Sequence, residues 1–234
     1  MKKIGLISHN NSTFVERDVD ILAEHHDVRT VYGIPSVQSP LQAARKTAEI
    51  AQVVRWADTL VLWFADWHTY IASKVASIYN KPTISIVAGY DVASINEIDY
   101  GGLNTRRGRT RNNYIFQNSK KILPVSVGLK RDLLTNFNIE EQMIQVIPFG
   151  FDHQWFTPQP EVDRSGVLTV ALADDEKTVK LKGLDHYLSI SKHFSNTEFT
   201  IVGVSGPAKE ILEQDKPENV QLVGPTDQET LLSY

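Results

Sequence analysis

The sequence predicts an α/β protein of two doubly wound, Rossmann-like domains, the second of them incomplete. Three observations carry that prediction. Short continuous apolar runs at 4–7, 59–64, 83–87, 122–125 and 144–147 alternate with segments of helical periodicity, the pattern of a parallel sheet covered by helices on both faces. The alternation resumes with runs at 167–172, 199–202 and 220–222. Between the two sets lies a polar stretch, 159–166, that contains Pro160. A first domain over 1–155 and a second over 160–234 follow.

Taken in order, 4–7 is the first strand, and Ser8, His9, Asn10 and Asn11 form the turn after it. Thr13 and Glu16 fit a capping box, in which a hydroxyl and a carboxylate satisfy unpaired amides at a helix start. Phe14, Val19, Leu22 and Ala23 recur at helical spacing behind them. A strand at 28–32 precedes a helix that Ser39 caps and Pro40 opens, a position where the missing N–H costs nothing. Strands at 59–64 and 83–87 flank a helix over 68–79. Helices over 112–118 and 128–136 and strands at 122–125 and 144–147 complete the first domain. Pro148 and Gly150 end its last strand, because proline removes a ladder donor and glycine permits a turn. The second domain reads as strand 167–172, helix 184–193, strand 199–202, helix 208–214 and strand 220–222. Thr226 and Glu229 fit a further capping box, and Leu231 and Leu232 start an apolar face. The expectation is a chain that stops partway through this domain and leaves an apolar edge exposed.

Hydrophobic residues make up 41% and charged residues 22% of the 234 residues, as in ordinary globular proteins. A formal net charge of −4 gives no global argument for nucleic acid or membrane. Cysteine is absent, so neither disulfides nor thiolate metal sites arise. The first apolar run is too short for the core of a secretory signal, and no run reaches the ~20 residues of a membrane helix. A cytoplasmic protein is expected. The nucleophile-elbow, P-loop, zinc-protease and dinucleotide glycine motifs are missing from the sequence.

In open α/β sheets ligands bind beyond the carboxyl ends of the strands, where helix-start amides face the crevice. That selects the loops at 8–12, 65–68, 88–99, 150–153, 173–183 and 203–207. Lys182, just before Gly183 at a helix entrance, suits a diphosphate held jointly by a cation and free amides. His9, with Ser8 and Asn10, lies in the first of these loops. His68 follows Trp67 at a helix start, where a surface cap is the plain alternative to sugar contact. Asp91 either hydrogen-bonds a ligand or holds its own loop. Arg106, Arg107, Arg109 and Arg111 form a basic run around Gly108. It reads either as a solvated face or as the seat of an anionic partner, a phosphorylated lipid-linked acceptor or an anionic membrane surface. Nucleic acid is not expected, for lack of any motif.

Three motifs also carry a resemblance. Val146-Ile147-Pro148-Phe149-Gly150-Phe151-Asp152, with Phe156 and Pro158 behind, resembles the interdomain segment of the GT-B glycosyltransferases, specifically the large retaining group classified as family four. Lys182-Gly183-Leu184-Asp185 is similar to that family's motif at the mouth of the donor domain. Leu123-Pro124-Val125-Ser126, followed by Lys130 and Leu133, is similar to its strand-Ser-helix unit. The resemblance implies a GT-B fold and transfer of a hexosyl group, with retention, from a nucleotide sugar to a sugar, lipid or polymer hydroxyl. It assigns Lys182, Gly183 and Gly150 to the donor side and His9, His68, Asp91, Arg106 and Arg107 to the acceptor cleft, with a hinge over 150–158. Neither metal nor cofactor is implied, the nucleotide sugar being a substrate. Membrane contact would be peripheral, on the inner face. Ala173-Asp174-Asp175 stands where the family has a Gly-Arg pair, and Gly89-Tyr90-Asp91 where it often has a histidine. The family's pair of donor-binding glutamates would fall beyond Tyr234, so the chain is expected to be catalytically incomplete. A sugar-nucleotide epimerase of the same fold and a non-catalytic sugar- or nucleotide-binding module are the alternative readings.

Overall fold

A computed structural model describes residues 1–34, 39–151, 153 and 165–234. The chain divides into two compact units, Met1–Gly150 and Phe151–Tyr234. The hinge expected over 150–158 falls largely on residues 152 and 154–158, which lie outside the described residues.

The first unit is a five-stranded parallel sheet of β1 (Lys3–Ser8), β2 (Asp27–Tyr32), β3 (Thr59–Trp63), β4 (Thr83–Val87) and β5 (Lys121–Pro124), in the order β2-β1-β3-β4-β5. Five helices accompany it: α1 (Thr13–Ala23), α2 (Pro40–Trp56), α3 (Trp67–Ile78), α4 (Arg106–Gln117) and α5 (Val127–Asn136). Because side chains alternate along a strand, β3 serves two cores. Leu60 and Leu62 join Ile50, Val54, Ala72, Ala76 and Phe116 of α2, α3 and α4 on one face. Val61 and Trp63 join Ile4, Leu6 and Val15, with Phe14, Val19 and Leu22 of α1, on the other. Gly5 lets α2 close onto β1, since a Cβ there would lie 2.7 Å from the Leu60 side chain and 2.8 Å from that of Val53.

Four local expectations change. Residues 144–147 form no full strand, although Gln145 and Ile147 donate to the carbonyls of Ile122 and Pro124 at 3.0 and 3.1 Å. The return bond of that ladder would need an N–H on residue 124, which is a proline. Helix α4 begins six residues before the expected 112, at Arg106, with Thr105 accepting from the Gly108 amide. Its first turns are arginine, glycine and threonine, which hide the apolar period. The start of α1 is capped at Ser12 without a side-chain bond, so Thr13 and Glu16 make no capping box. In the second unit the cap is Asp227 rather than Thr226, accepting from Thr230 N. Ser39 caps α2 as expected, accepting from Gln42 N.

The second unit holds a parallel sheet of β6 (Val167–Ala173), β7 (Phe199–Val204) and β8 (Val220–Val223), in that order. Its helices are α6 (Glu176–Lys182), α7 (Leu184–Ser191), α8 (Gly206–Asp215) and α9 (Gln228–Leu231). Ala173, Phe199, Ile201 and Val220 pack with Val179, Leu184, Leu188 and Leu212 into its core. On the opposite side of β6, Leu168, Val170 and Leu172 are 42%, 51% and 72% exposed. No helix among the described residues is long and apolar enough to cross a membrane.

Candidate functional site

The order β2-β1-β3-β4-β5 reverses direction between β1 and β3, and a crevice opens at such a switch point beyond the carboxyl ends of the strands. The chain leaving β3 is unusual there. Phe64 has φ of 64°, a conformation a bulky side chain rarely adopts and one that often marks a functional segment. Its ring meets His9 edge-on at 4.7 Å between centroids.

Asp91 locks this corner. It lies in a 3₁₀ turn, Tyr90–Val92, with no exposed surface. One carboxylate oxygen accepts from the Ala65 amide and the other from the Ala88 amide at 3.0 Å. The β3 and β4 exit loops are thereby joined through one side chain. Asn112 of α4 adds a bond to the Asp91 carbonyl at 2.8 Å. Burial pushes the Asp91 carboxyl pKa upward, against the amide bonds, which hold it down. The structure thus places Asp91 as the loop-holding residue, its two oxygens turned to backbone.

His68 is fully buried, not a surface cap. The cap of α3 is Asp66, whose side chain accepts from Trp67 N while Thr69 Oγ1 accepts from Asp66 N. His68 Nε2 stands 2.9 Å from the Trp63 carbonyl. A carbonyl only accepts, so Nε2 carries the proton and Nδ1 is a bare acceptor. Among the described residues Nδ1 is buried without a partner. Burial lowers the His68 pKa to about 4, so the ring is neutral near pH 7. The half-buried His9 ring lies 6.2 Å from it, with Asn10 Nδ2 at 2.9 Å from His9 Nε2. Burial also lowers the His9 pKa, opposed by Asp66 and Asp91. The structure brings His9, His68 and Asp91 to one corner.

The arginines divide. Arg111 pairs with Asp66 at 2.7 Å, its side chain 12% exposed, and its guanidinium lies 5.5 Å from the Trp67 ring centre. Arg109 donates to the Leu103 carbonyl at 2.7 Å. Arg106 and Arg107 are exposed in the first turn of α4. With Trp67, Tyr70, Thr110 and Arg111 they line an open cavity of about 510 Å³. Extending α4 back to Thr105 in the sequence would have shown Arg107 and Arg111 one turn apart on one face. The pairing of Arg111 with Asp66 had no local signal.

On the side expected to take the donor, Lys182 is the exposed last residue of the seven-residue α6 and stands directly before Gly183, the N-cap of α7. Asp175 starts α6, accepting from Thr178 N at 2.7 Å, which turns part of the expected 173–183 loop into helix. Gly183, at φ of 68°, ends α6 in the left-handed conformation and leads into α7. The exits of β6 and β7 adjoin through Ser205 N donating to Ala173 O at 2.9 Å. Gly150 lines a separate, apolar cavity of about 290 Å³ with Trp63, Ile86, Leu123, Ile147 and Phe149.

No protein-family model matches this chain. A 68-residue segment is 34% identical to a mannosyltransferase of Mycolicibacterium hassiacum, described as MMP alpha-(1->4)-mannosyltransferase, covering 29% of this chain and 16% of that protein. The fold is similar to UDP-GlcNAc 2-epimerase of Neisseria meningitidis bound to UDP-GlcNAc, at TM-score 0.60 and 14% identity, over 100% of this chain and 75% of that one. It is similar also to a glycosyltransferase of Rickettsia africae, at TM-score 0.59 and 17% identity, over 100% and 70% of the two chains. The fold is therefore that of the GT-B proteins, built from parallel-sheet Rossmann-like units.

Proposed function

We propose that this chain belongs to a nucleotide-sugar-dependent glycosyltransferase of the retaining family-four type. The second unit takes the donor and the first takes the acceptor. The observation that carries the reading is a fold shared along the whole chain with a glycosyltransferase and with a UDP-GlcNAc-bound protein. The mannosyltransferase segment supports the same reaction class. In the reaction, the bond from the anomeric carbon to the nucleoside diphosphate breaks and one to the acceptor oxygen forms. The acceptor proton leaves, and the nucleoside diphosphate departs with the bonding electrons. Lys182, exposed where α6 meets α7, supplies positive charge to that departing diphosphate. A cytoplasmic location, and a lipid-linked acceptor met at an anionic membrane face, extend the reading.

Lys182→Ala tests it. Affinity for a UDP-sugar, measured by calorimetry, should weaken by roughly 1–3 kcal/mol, the range for a charge-assisted hydrogen bond. Unchanged affinity returns Lys182 to an ordinary solvated lysine. Epimerisation is the second reading, favoured by the several UDP-GlcNAc 2-epimerases that share the fold. Incubation with UDP-GlcNAc separates the two: a 2-epimer formed without acceptor supports epimerisation, and a glycoside formed with acceptor supports transfer.

A further inference from the structure

The cavity between α3 and α4 has a composition that the fold does not need. Two of its six lining residues, Arg106 and Arg107, stand in the first turn of a twelve-residue helix. The helix dipole already presents positive charge there, so arginines at that end oppose it unless an anion is present. Among the described residues neither guanidinium has an acidic partner within 4.0 Å, while their neighbour Arg111 is held by Asp66. Three guanidinium groups against one carboxylate leave a local excess that matches a dianion. Arginine forks are suited to phosphate oxygens, which they grip through two parallel bonds.

The other wall is aromatic. Trp67 is 41% exposed, although it is the largest side chain at the start of α3. Tyr70 meets it edge-on at 5.8 Å, and Tyr114 continues the row at 5.4 Å from Tyr70. Lys74 closes the row, 3.6 Å from the Tyr114 ring centre. An exposed indole beside arginines offers a flat apolar surface next to an anion site. A sugar ring, apolar on its C–H face and polar at its rim, matches the surface, and about 510 Å³ holds one such ring with its phosphate. The spot lies on the crevice side of the sheet, because α3 leaves the carboxyl end of β3 through Asp66.

We infer that the α3–α4 cavity binds a phosphomonoester of a sugar or polyol, with Arg106 and Arg107 on the phosphate and Trp67 under the ring. This rests on the reading of the first unit as the acceptor side, and names the acceptor class as phosphorylated. The phosphate comes either free in solution or as a lipid headgroup.

The experiment titrates the whole chain with glucose 6-phosphate, methyl glucoside, inorganic phosphate and UDP, following tryptophan fluorescence and heat. Vesicles of phosphatidylinositol 4-phosphate, whose headgroup carries a polyol phosphomonoester, and of phosphatidylcholine form a separate arm. The variants are Arg106→Gln/Arg107→Gln and Trp67→Phe, all at exposed positions. Glucose 6-phosphate should bind more tightly than either the glucoside or phosphate alone. The double glutamine variant should weaken it by at least about tenfold, with UDP binding unchanged. Trp67→Phe should remove the fluorescence response. Binding confined to phosphatidylinositol 4-phosphate vesicles, and lost in the double variant, assigns the same chemistry to a headgroup. Equal binding of the neutral glucoside, binding by neither source, or UDP binding lost in the double variant overturns the inference. The last of these leaves the nucleotide-sugar reading standing. Sugar phosphate bound without any UDP binding upholds the cavity and removes that reading instead.

Discussion

In Met1–Gly150 the loops beyond β3 and β4 are joined by a side chain that solvent does not reach, whereas beyond β6 and β7 in Phe151–Tyr234 backbone bonds join them. Asp91 holds Ala65 and Ala88, and Asn112 holds Asp91. In the second unit, Ser205 N and Ala208 N donate to Ala173 O and Asp174 O at 2.9 and 3.2 Å. The acidic side chains at this junction, Asp174 and Asp175, are exposed, and Asp175 serves its own helix through Thr178. Lys182 is exposed as well. The difference is one of when order is acquired. In the first unit folding itself fixes the strained Phe64 corner and the rings around it. In the second, Lys182 is left exposed, so in the proposed donor role its ordering would come with the ligand, at a cost in affinity.

The sharpest test sets Asp91→Ala against Asp175→Ala. Removing Asp91 leaves the buried Ala65 amide and the part-buried Ala88 amide without acceptors, for a loss of about 3 kcal/mol in denaturant unfolding. Removing Asp175 deletes only an exposed cap and should cost clearly less. Equal losses would erase the distinction between the units.

Acid acts on the same contrast through His68. Unfolded, this histidine titrates near 6.5; folded, burial holds it at about 4. Below pH 6.5 the unfolded chain therefore binds the extra proton. Stability is fully present above 6.5, falls as pH drops through this window and levels off near 4, a loss of about 3 kcal/mol. Amide exchange of β3 and α3 should accelerate over that range, and His68→Asn should remove most of the dependence, leaving the part that the lowered His9 pKa contributes. A first unit indifferent to pH across it would show that the ring protonates in place.

The partly buried Arg111–Asp66 pair comes next. Arg111→Ala should cost roughly 1–2 kcal/mol, between the values for exposed and buried charge-assisted bonds. The thermal midpoint reads it, and a shift no larger than that of Arg106→Ala would place Arg111 with the solvated arginines.

The smallest effect concerns the second sheet's outer side. Leu172, 72% exposed, should tolerate glutamine within about 0.5 kcal/mol. Ile201, fully buried in the same sheet, should lose about 3 kcal/mol as alanine. A large loss at Leu172 would mean that this side of β6 is covered.

Most of the strands were legible because each is announced by its own residues. A run such as Thr59–Trp63 is apolar on both sides, and that local fact already implies a sheet covered twice. Ser39 and Pro40 marked α2 in the same local way. The start of α4 was not legible, since arginine and glycine carry no apolar period, and the cap that sets it is one hydroxyl at Thr105. Nor was α6, whose seven residues lie between Asp175 and a glycine.

What the sequence by itself determined, then, is the alternation of strand and helix and the places where one strand ends and the next helix begins. Those follow from hydrophobic period, proline and glycine, which act over a few residues. Only the tertiary structure decided which loop residues face inward. Asp91 reaches Ala65 across 26 positions and Arg111 reaches Ala65 across 46, and the His9 and His68 rings come within 6.2 Å of each other beyond the paired strands β1 and β3. Whether a histidine, an aspartate or an arginine is a cap, a brace or a free charge depends on what strand order sets beside it, and strand order results from packing the whole sheet.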